Sequence, residues 1–368
     1  MTRADDHAFM ERALFWGERG RGRTSPNPNV GAVVVTRDGI VVGQGTTQPA
    51  GGAHAEVMAL DAAGALADGA TLYCTLEPCS HTGRTGPCVE RIAAAGIARV
   101  VAALRDPNPE VSGRGFAYLR ERGIDVASDV AREAAREQHA AFFTWITLKR
   151  PFVTVKAATS LDGFVGERTG RIRLTGPVAD RYFHRQRAEI DAIAVGSGTV
   201  LVDDPLLTAR GAYRFRPLTR VIFDWRGRVP ATARVFSTQS AGPVIMVTAA
   251  RTLAGQAGHF HELQRQGVEI AAFETRDLRE VLTYLGARPI VSLLVEGGPA
   301  LHAAFAEAAL IDRAQWVVTP QRLGSGVPLL TPSGPGVMPA GPSRTLQLGD
   351  DLLIEFDVHG TDRSHRAH

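Results

Sequence analysis

The stretch that decides the fold of the N-terminal half is His54-Ala55-Glu56, taken together with Pro78-Cys79 and Cys88. One neutral imidazole and two thiolates supply three ligands for zinc and leave the fourth tetrahedral position to water, as in a catalytic zinc site. A metal bound in this way makes hydroxide available near neutral pH. The sequence therefore predicts that the histidine and the two cysteines bind a catalytic zinc ion.

Glu56 follows His54 by two residues, a spacing that separates the two side chains on the flank of a helix. If a helix begins at His54, both side chains can instead converge beyond its N-terminus, where the helix dipole favours negative charge. Glu56 is then not a metal ligand and is free to transfer protons.

Each of these residue types also has an ordinary explanation. A lone histidine is more often a surface or core residue than a ligand, and scattered cysteines in a cytosolic chain are usually reduced and inert. The joint order and spacing of the four residues favour the metal site. Cys74 is different, because it lies inside the apolar run 70–76, which is predicted to be a buried strand. Cys74 is therefore assigned to the core.

The pattern H-x-E followed by P-C-x-x-C is the signature of zinc-dependent deaminases, and this chain resembles it with one difference. Eight residues, 80–87, separate the two cysteines, where nucleoside and nucleic-acid deaminases usually have two. This longer loop, with Pro26-Asn27-Pro28-Asn29-Val30-Gly31 before it and Asp106-Pro107-Asn108-Pro109 after it, resembles the bifunctional deaminase/reductase family of riboflavin biosynthesis. The resemblance implies that Glu56 transfers protons during deamination. It also implies that a pyrimidine and its phosphate are held by Asn27, His81 and Arg84.

Four stretches of the second half resemble the reductase part of the same family, and they are 156–163, 198–205, 207–210 and 295–299. The resemblance implies a dihydrofolate-reductase-like domain that uses NADPH. The cofactor would be held by Ala158, Thr199, Asp203 and Gly298. The substrate would be held by Arg187, Leu207, Arg210 and Glu296, and the two arginine forks suit a ribose phosphate.

The family resemblance thus implies two consecutive reactions. The first is hydrolytic deamination of 2,5-diamino-6-(5-phosphoribosylamino)pyrimidin-4(3H)-one, which depends on zinc. The second is reduction of the ribosyl group of the product to a ribityl chain, which depends on NADPH.

The length of 368 residues suits two hydrophobic cores. Lys149-Arg150-Pro151 marks a boundary, since a helix normally ends before proline. Residues 1–149 are predicted to be a cytidine-deaminase-like three-layer α/β/α domain, 150–360 the reductase-like α/β domain, and 361–368 a disordered tail. Gly196-Ser197-Gly198 lacks the third glycine of a dinucleotide fingerprint, so a Rossmann fold is rejected.

The alternation of apolar and polar residues predicts most of the individual elements. The first helix is predicted from residue 5, with Asp5 or Asp6 as its cap, and a hairpin follows over 30–42. Further helices are predicted to start at His54 and Cys88 and to span 131–148, and residues 334–342 are predicted to be loop. Strands are predicted at 71–76, 98–104, 152–158, 193–195, 221–224, 244–247, 268–273 and 290–295, with a closing antiparallel strand at 352–356.

The formal net charge of +3 is small for this length and gives little support to nucleic-acid binding. The N-terminus lacks an apolar signal core, and no apolar run reaches membrane-spanning length. We therefore expect a cytoplasmic protein whose partner is a small phosphorylated pyrimidine, with no nucleic-acid or membrane partner. The sequence leaves a homo-oligomer open.

Two alternatives remain open at this stage. One is a deaminase for another substrate, such as a nucleoside or a tRNA base, although the longer cysteine loop and the second domain argue against it; a deaminase/reductase that acts on a related pyrimidine is a variant of the same alternative. The other is a second half that binds a ligand or assembles but does not reduce. This half departs from the family pattern at Gly170–Thr175 and at Trp225, which follows Asp224.

Overall fold

The computed structural model describes residues 3–81, 86–109, 111–167, 172–329 and 343–358. The chain divides into two compact units, Met1–Arg150 and Pro151–His368, one residue beyond the boundary expected from the sequence. Each unit is a mixed α/β structure with its own main sheet. The predicted loop at 334–342 and the predicted tail at 361–368 lie outside the described residues.

The first unit contains a five-stranded sheet, five α-helices and one short 3-10 helix at Gly64–Ala67, counted over its described residues. In chain order these elements are α1 (Arg3–Glu18), β1 (Gly31–Val35), β2 (Val41–Thr46), α2 (Ala55–Ala63), β3 (Thr71–Cys74), α3 (Cys88–Ala94), β4 (Arg99–Ala102), α4 (Arg114–Glu121), β5 (Asp125–Ala127) and α5 (Arg132–Leu148). The strand order is β2-β1-β3-β4-β5. The β1 strand is antiparallel to β2 and β3, whereas β3, β4 and β5 are parallel.

Two glycines show where helices approach this sheet. A Cβ atom at Gly31 would lie 1.9 Å from the carbonyl oxygen of Ala13 in α1, and one at Gly43 would lie 2.0 Å from that of Ala59 in α2. Gly43 is paired with Val34, so the two residues lie on the same face of the sheet. Val34 and Gly31 are three residues apart in β1 and therefore lie on opposite faces. The two helices therefore cover opposite faces of the sheet, which confirms the predicted three-layer arrangement.

The second unit contains a nine-stranded sheet and a separate two-stranded pair. Its elements in chain order are β6 (Phe152–Thr159), β7 (Phe164–Gly166), α6 (Pro177–Glu189), β8 (Ala192–Gly196), α7 (Ser197–Asp203), β9 (Thr219–Phe223), a 3-10 helix (Arg234–Ala241), β10 (Val244–Ala249), α8 (Ala250–Gly255), α9 (Ala257–Arg265), β11 (Glu269–Phe273), α10 (Leu278–Gly286), β12 (Ser292–Val295), α11 (Pro299–Glu307), β13 (Arg313–Val318), β14 (Val327–Pro328), β15 (Ser343–Leu348) and β16 (Asp351–Asp357). The strand order is β11-β10-β9-β8-β12-β6-β13-β16-β15, and β14 pairs with β7. The strands from β11 to β13 are parallel, and β16 is antiparallel to both of its neighbours.

The nine-stranded sheet has a hydrophobic core on each face. Ala194 and Phe223 belong to the core that also contains residues of α10 and α11, whereas Ile193 and Ile222 belong to the core that contains residues of α9. Neighbouring residues of one strand point to opposite faces, so a strand covered on both sides is apolar throughout. This burial explains why the central strands of the sheet were recognisable from their apolar runs.

Two differences from the sequence-based expectations have clear physical causes. The first helix begins before Asp5, and Asp6 does not cap it, because its buried carboxylate accepts hydrogen bonds from Tyr73 and Arg99. The β13 strand was not predicted, since its polar residues interrupt the apolar pattern. Two of them are paired across the sheet, Arg313 with Asp357 and Gln315 with Glu355.

No helix among the described residues is both long enough and apolar enough to cross a membrane.

Candidate active sites

Three predicted metal ligands converge at one end of the first unit. His54 is the N-cap residue of α2, Cys88 is the first residue of α3, and Cys79 lies in the loop after β3. The Nδ1 atom of His54 is 3.2 Å from the sulfur of Cys88 and 3.5 Å from that of Cys79. The ligand atoms of all three residues lie within 4.8 Å of one another. One nitrogen and two sulfurs at this spacing fit the ligand set of zinc.

The pKa values of these side chains show how strongly the three groups interact. The hydrogen bond to Cys88 lowers the pKa of Cys79 to about 4, against the effect of burial. The hydrogen bond to Cys79 raises the pKa of His54 to about 9. The pKa of Cys88 is raised by its hydrogen bond to Cys79 and by burial. The three groups therefore perturb one another, and zinc would displace any protons that they carry when it binds.

Glu56 lies in the first turn of α2 and is 4% exposed. Burial raises the pKa of its carboxyl, and the nearby charge of His54 partly opposes that shift. A carboxylate with a raised pKa is suited to take up a proton and return it near neutral pH.

A cavity of about 340 Å³ opens in front of this cluster and is lined by His54, Glu56 and Cys79. The same cavity is lined by Asn27 and His81, two of the residues expected to hold substrate. The third, Arg84, lies outside the described residues. The structure therefore brings together the predicted proton-transfer residue, two predicted metal ligands and two substrate candidates around one cavity.

The cavity also contains residues that the sequence did not single out as functional. Asp106 and Asn108 line one part of it, and another part is a wall formed by α5 with Phe142, Trp145 and Ile146. Phe142 is also part of the hydrophobic core of this unit, and Trp145 and Ile146 pack against that core. Spacing along one helix face does not distinguish a residue that only packs in the core from one that also lines a cavity. Their role was therefore not visible from periodicity.

The second unit holds a different polar cluster at the end of β12. Glu296 follows this strand, and its backbone N–H donates to the carbonyl of Ala194 in β8, 2.9 Å away. Arg187 in α6 binds both carboxylate oxygens of Glu296. Burial lowers the pKa of Lys156 in β6, a shift that the charge of Glu296 opposes. Arg187, Glu296 and Lys156 thus form a charged site on neighbouring elements.

The loop 207–210 is held beside this cluster. Arg187 donates from Nη1 to the carbonyl of Thr208 at 3.4 Å, and the backbone N–H of Arg210 is 3.1 Å from Nδ1 of His184 in α6. Leu207, at a φ of 55°, is buried, whereas Arg210 is exposed. The four residues predicted to hold the reductase substrate therefore lie on segments that contact one another.

The predicted cofactor residues lie where parallel strands end. Gly298 is the N-cap residue of α11, which follows β12, and Thr199 lies in α7, which follows the neighbouring strand β8. A Cβ atom at Gly298 would lie 3.9 Å from the hydroxyl of Thr199. Asp203 is the last residue of α7, and Ala158 lies on β6, the other neighbour of β12. Ligands of open α/β sheets bind at such carboxyl ends.

The structure describes Trp225 and part of the stretch 170–175, the two places where the sequence departs from the family pattern. Trp225 packs against Phe223 and Phe273 with ring centroids 6.3 and 6.5 Å away, so its ring is partly buried against the hydrophobic core. Thr175 donates to Asp180 in α6 at 2.6 Å. Gly170 and Arg171 lie outside the described residues.

Comparison with known proteins identifies the family. Residues 3–104 match the cytidine and deoxycytidylate deaminase zinc-binding region, and residues 151–352 match the RibD C-terminal domain. The riboflavin biosynthesis protein RibD of Aquifex aeolicus is 39% identical, over 97% of this chain and 99% of that protein. The chain belongs to the RibD family. The RibD of Escherichia coli is also 39% identical, over 87% of this chain and 89% of its own length.

Two solved RibD structures cover nearly the whole chain. Acinetobacter baumannii RibD, form 1, superposes with a TM-score of 0.85 at 33% identity and covers 97% of this chain and 99% of its own. A diaminohydroxyphosphoribosylaminopyrimidine deaminase/5-amino-6-(5-phosphoribosylamino)uracil reductase from Thermotoga maritima gives 0.84 at 33% identity, with 96% and 99% covered.

Membership of the RibD family confirms the bifunctional enzyme expected from the sequence. The chain combines a zinc-dependent deaminase with an NADPH-dependent reductase of riboflavin biosynthesis, and it acts on a small pyrimidine. The cytidine-deaminase-like fold of the first half and the RibD reductase fold of the second are confirmed as well.

Proposed function

We propose that the first unit deaminates 2,5-diamino-6-(5-phosphoribosylamino)pyrimidin-4(3H)-one and that the second unit reduces the ribosyl group of the product. The observation that carries this proposal is the cavity that joins His54, Cys79 and Glu56 to two polar substrate candidates. The name of the Thermotoga maritima relative supports the same two substrates.

In the deaminase, His54, Cys79 and Cys88 would hold zinc, which when bound lowers the pKa of a coordinated water to about 7. Glu56 accepts a proton from the attacking water and returns it to the amine that leaves as ammonia. A carbonyl replaces the carbon–nitrogen bond, so the net reaction consumes one water. Glu56 is buried but lines the cavity, so its carboxyl can reach a substrate bound there.

The rest of the cavity selects the pyrimidine. The amide of Asn27 offers both a donor and an acceptor to the ring edge, and the α5 wall with Phe142 and Trp145 offers an apolar surface to its face. His81 lines the cavity and is exposed to solvent, so a substrate phosphate bound beside it would remain partly solvated. Arg84 stays a predicted phosphate residue.

In the reductase, NADPH when bound would supply a hydride to C1′ of the ribosyl group, whose bond to the ring oxygen breaks while that oxygen gains a proton. Gly298 at the start of α11, with Thr199 beside it, offers backbone N–H groups and a hydroxyl to the cofactor phosphates. Arg187 is engaged with Glu296 and fixes that carboxylate toward the sugar. Arg210 is exposed and carries the fork that suits a ribose phosphate.

Substrate choice provides the test of this assignment. The zinc-loaded full-length protein should release ammonia from the diamino pyrimidine and should oxidise NADPH only when the deaminated product is present. Cytidine and deoxycytidylate serve as competing substrates. Faster ammonia release from either of them than from the diamino pyrimidine would overturn the proposed substrate.

A cytoplasmic location also remains a proposal, and it is supported by the thiol state of the chain. Cys74, Cys79 and Cys88 are all free, and a zinc site of this kind needs reduced sulfur. A homo-oligomer stays a prediction, and a measurement of the molecular mass in solution tests it.

A further inference from the structure

Glu77 is a buried carboxylate that the chemistry described so far does not use. It is 3% exposed. One oxygen, Oε2, accepts hydrogen bonds from the backbone N–H of Asp106 at 3.2 Å and of Gly113 at 2.9 Å. The other, Oε1, accepts from the backbone N–H of Gly115 at 3.0 Å and of Phe116 at 3.3 Å. Four main-chain donors thus converge on one carboxylate.

These bonds join two parts of the deaminase site. Glu77 lies two residues before the metal ligand Cys79, and its own backbone N–H donates to Leu104 at 2.9 Å. The donors to Glu77 lie in two stretches, 106–109 and 111–116. The first stretch contains Asp106 and Asn108, which line the cavity together with Glu77. The carboxylate therefore connects the turn that carries a metal ligand to a loop that faces the substrate space.

Glu77 also occupies the N-terminal end of α4. Gly113 is the N-cap residue of this helix at a φ of 82°, and Gly115 and Phe116 lie in its first turn. The first N–H groups of a helix have no partner inside it, and the helix dipole favours a negative charge there. A Cβ atom at Gly115 would lie 2.2 Å from the carbonyl oxygen of Pro78, so only glycine permits this close approach. The start of α4 and the turn that carries Cys79 are therefore in direct contact.

The position of Asp106 and Asn108, which line the cavity, depends on the same hydrogen bonds to Glu77. The carboxylate of Asp106 accepts from the backbone N–H of Asn108 at 2.8 Å, which fixes these two residues as one turn. The bond from the backbone of Asp106 to Glu77 then sets where this turn lies relative to Cys79. Loss of that bond would displace the turn without removing a metal ligand.

We propose that Glu77 is a positioning residue for deamination, whose buried carboxylate holds the backbone of Asp106 and the start of α4 against the turn that carries Cys79, so that Asp106 and Asn108 face the bound pyrimidine. This inference rests on the proposed deaminase function of the cavity. It separates binding of the pyrimidine ring, which depends on Asp106 and Asn108, from metal binding, which depends on His54, Cys79 and Cys88.

The first test is Glu77→Gln in the full-length, zinc-loaded protein. Glutamine keeps the size of the side chain but turns an N–H2 group toward backbone donors, so at least one pair of bonds is lost. The variant should keep the wild-type amount of zinc per chain, raise the KM of deamination by about tenfold or more, and change kcat by only a few fold. Reduction of the deaminated product with NADPH should be unchanged.

Asp6→Asn is the matched control, because Asp6 is also a buried carboxylate of the first unit. It binds Tyr73 and Arg99 and does not line the cavity. This variant should lower the melting temperature without raising the KM. Equal increases in KM in the two variants would overturn the proposal. The rise in KM would then result from a loss of stability of the first unit and not from a displacement of Asp106 and Asn108.

Glu77→Asp covers the case in which the glutamine variant does not fold. It keeps the charge but shortens the reach by one methylene, so its KM should lie between those of the wild type and the glutamine variant. A wild-type KM in either folded, zinc-loaded variant would overturn the proposal.

Hydrogen exchange separates this inference from the proposed function, because it needs no substrate. The amides of Asp106, Gly113, Gly115 and Phe116 should exchange slowly in the wild type and faster in the variants at Glu77. Unchanged exchange would overturn the positioning role. A wild-type protein with protected amides but no ammonia release would instead overturn the proposed function.

Discussion

The guanidinium of Arg187 binds both carboxylate oxygens of Glu296, with Nε at 2.8 Å from Oε1 and Nη2 at 2.5 Å from Oε2. The two side chains are 18% and 10% exposed, so the pair is largely withdrawn from water. Burial alone would raise the pKa of Glu296, but the charge of Arg187 lowers it to about 2. The carboxylate is therefore ionised at neutral pH and fixed in direction.

Replacement of Glu296 by glutamine should weaken use of the reductase substrate and leave NADPH affinity within a few fold. One acceptor oxygen remains, but the buried charge of Arg187 loses its partner, at a cost of about 2 kcal/mol in the free energy of unfolding. Steady-state kinetics with the deaminated product and fluorescence titration with NADPH measure the two effects. Asp203→Ala, at the end of α7, should have the reverse pattern. Equal losses of NADPH affinity in both variants would contradict the separate roles.

The zinc ligands give a second prediction. The wild type should carry about one zinc per chain, and Cys79→Ser or Cys88→Ser should lose zinc and deamination together, because removal of a ligand weakens metal binding. Cys74→Ala is the matched control, since this thiol is buried in β3 outside the cluster. It should keep both zinc and activity. Full zinc content in either serine variant, measured by atomic absorption, would contradict the site.

The convergence of His54, Cys79 and Cys88, with Glu56 beside them, was predictable because it follows from a short sequence pattern. His54 and Glu56 are near neighbours, and their residue types already restrict the chemistry. The central strands were predictable for a similar reason, as burial on both faces makes them apolar throughout.

Other features depend on partners distant in sequence and had no local signal. The donors to Glu77 lie 29, 36, 38 and 39 residues away, so no periodicity shows that this carboxylate is capped by main-chain amides. The same holds for β13, where Gln315 pairs with Glu355 across 40 residues. The helix at 131–148 was predicted, but nothing in the sequence indicated that Phe142, Trp145 and Ile146 also line the cavity.

His139 gives a prediction about pH. It is fully buried in α5, with Nε2 at 3.0 Å from the hydroxyl of Thr75, and burial lowers its pKa to about 3. In the unfolded chain a histidine has a pKa of about 6.5. Between these values the unfolded state binds more protons than the folded state, so stability falls as the pH falls.

Acidification from pH 7 to 4.5 should therefore cost the wild type about 2 to 3 kcal/mol through His139. His139→Gln should lack this part of the pH dependence, whatever its stability at pH 7. Denaturant unfolding at several pH values measures both slopes, and the shared zinc site cancels in their difference. Parallel curves for the two proteins would show that His139 is not the acid-sensitive group.

The central claim is that one chain carries two separate chemistries, and Glu56→Gln tests it most directly. We expect full-length Glu56→Gln to keep its zinc and to release ammonia from the diamino pyrimidine at least about a hundredfold more slowly than the wild type, because proton transfer is lost. The same protein should oxidise NADPH at the wild-type rate when the deaminated product is supplied. Wild-type ammonia release by this variant, or no NADPH oxidation by the wild type with that product, would contradict the account.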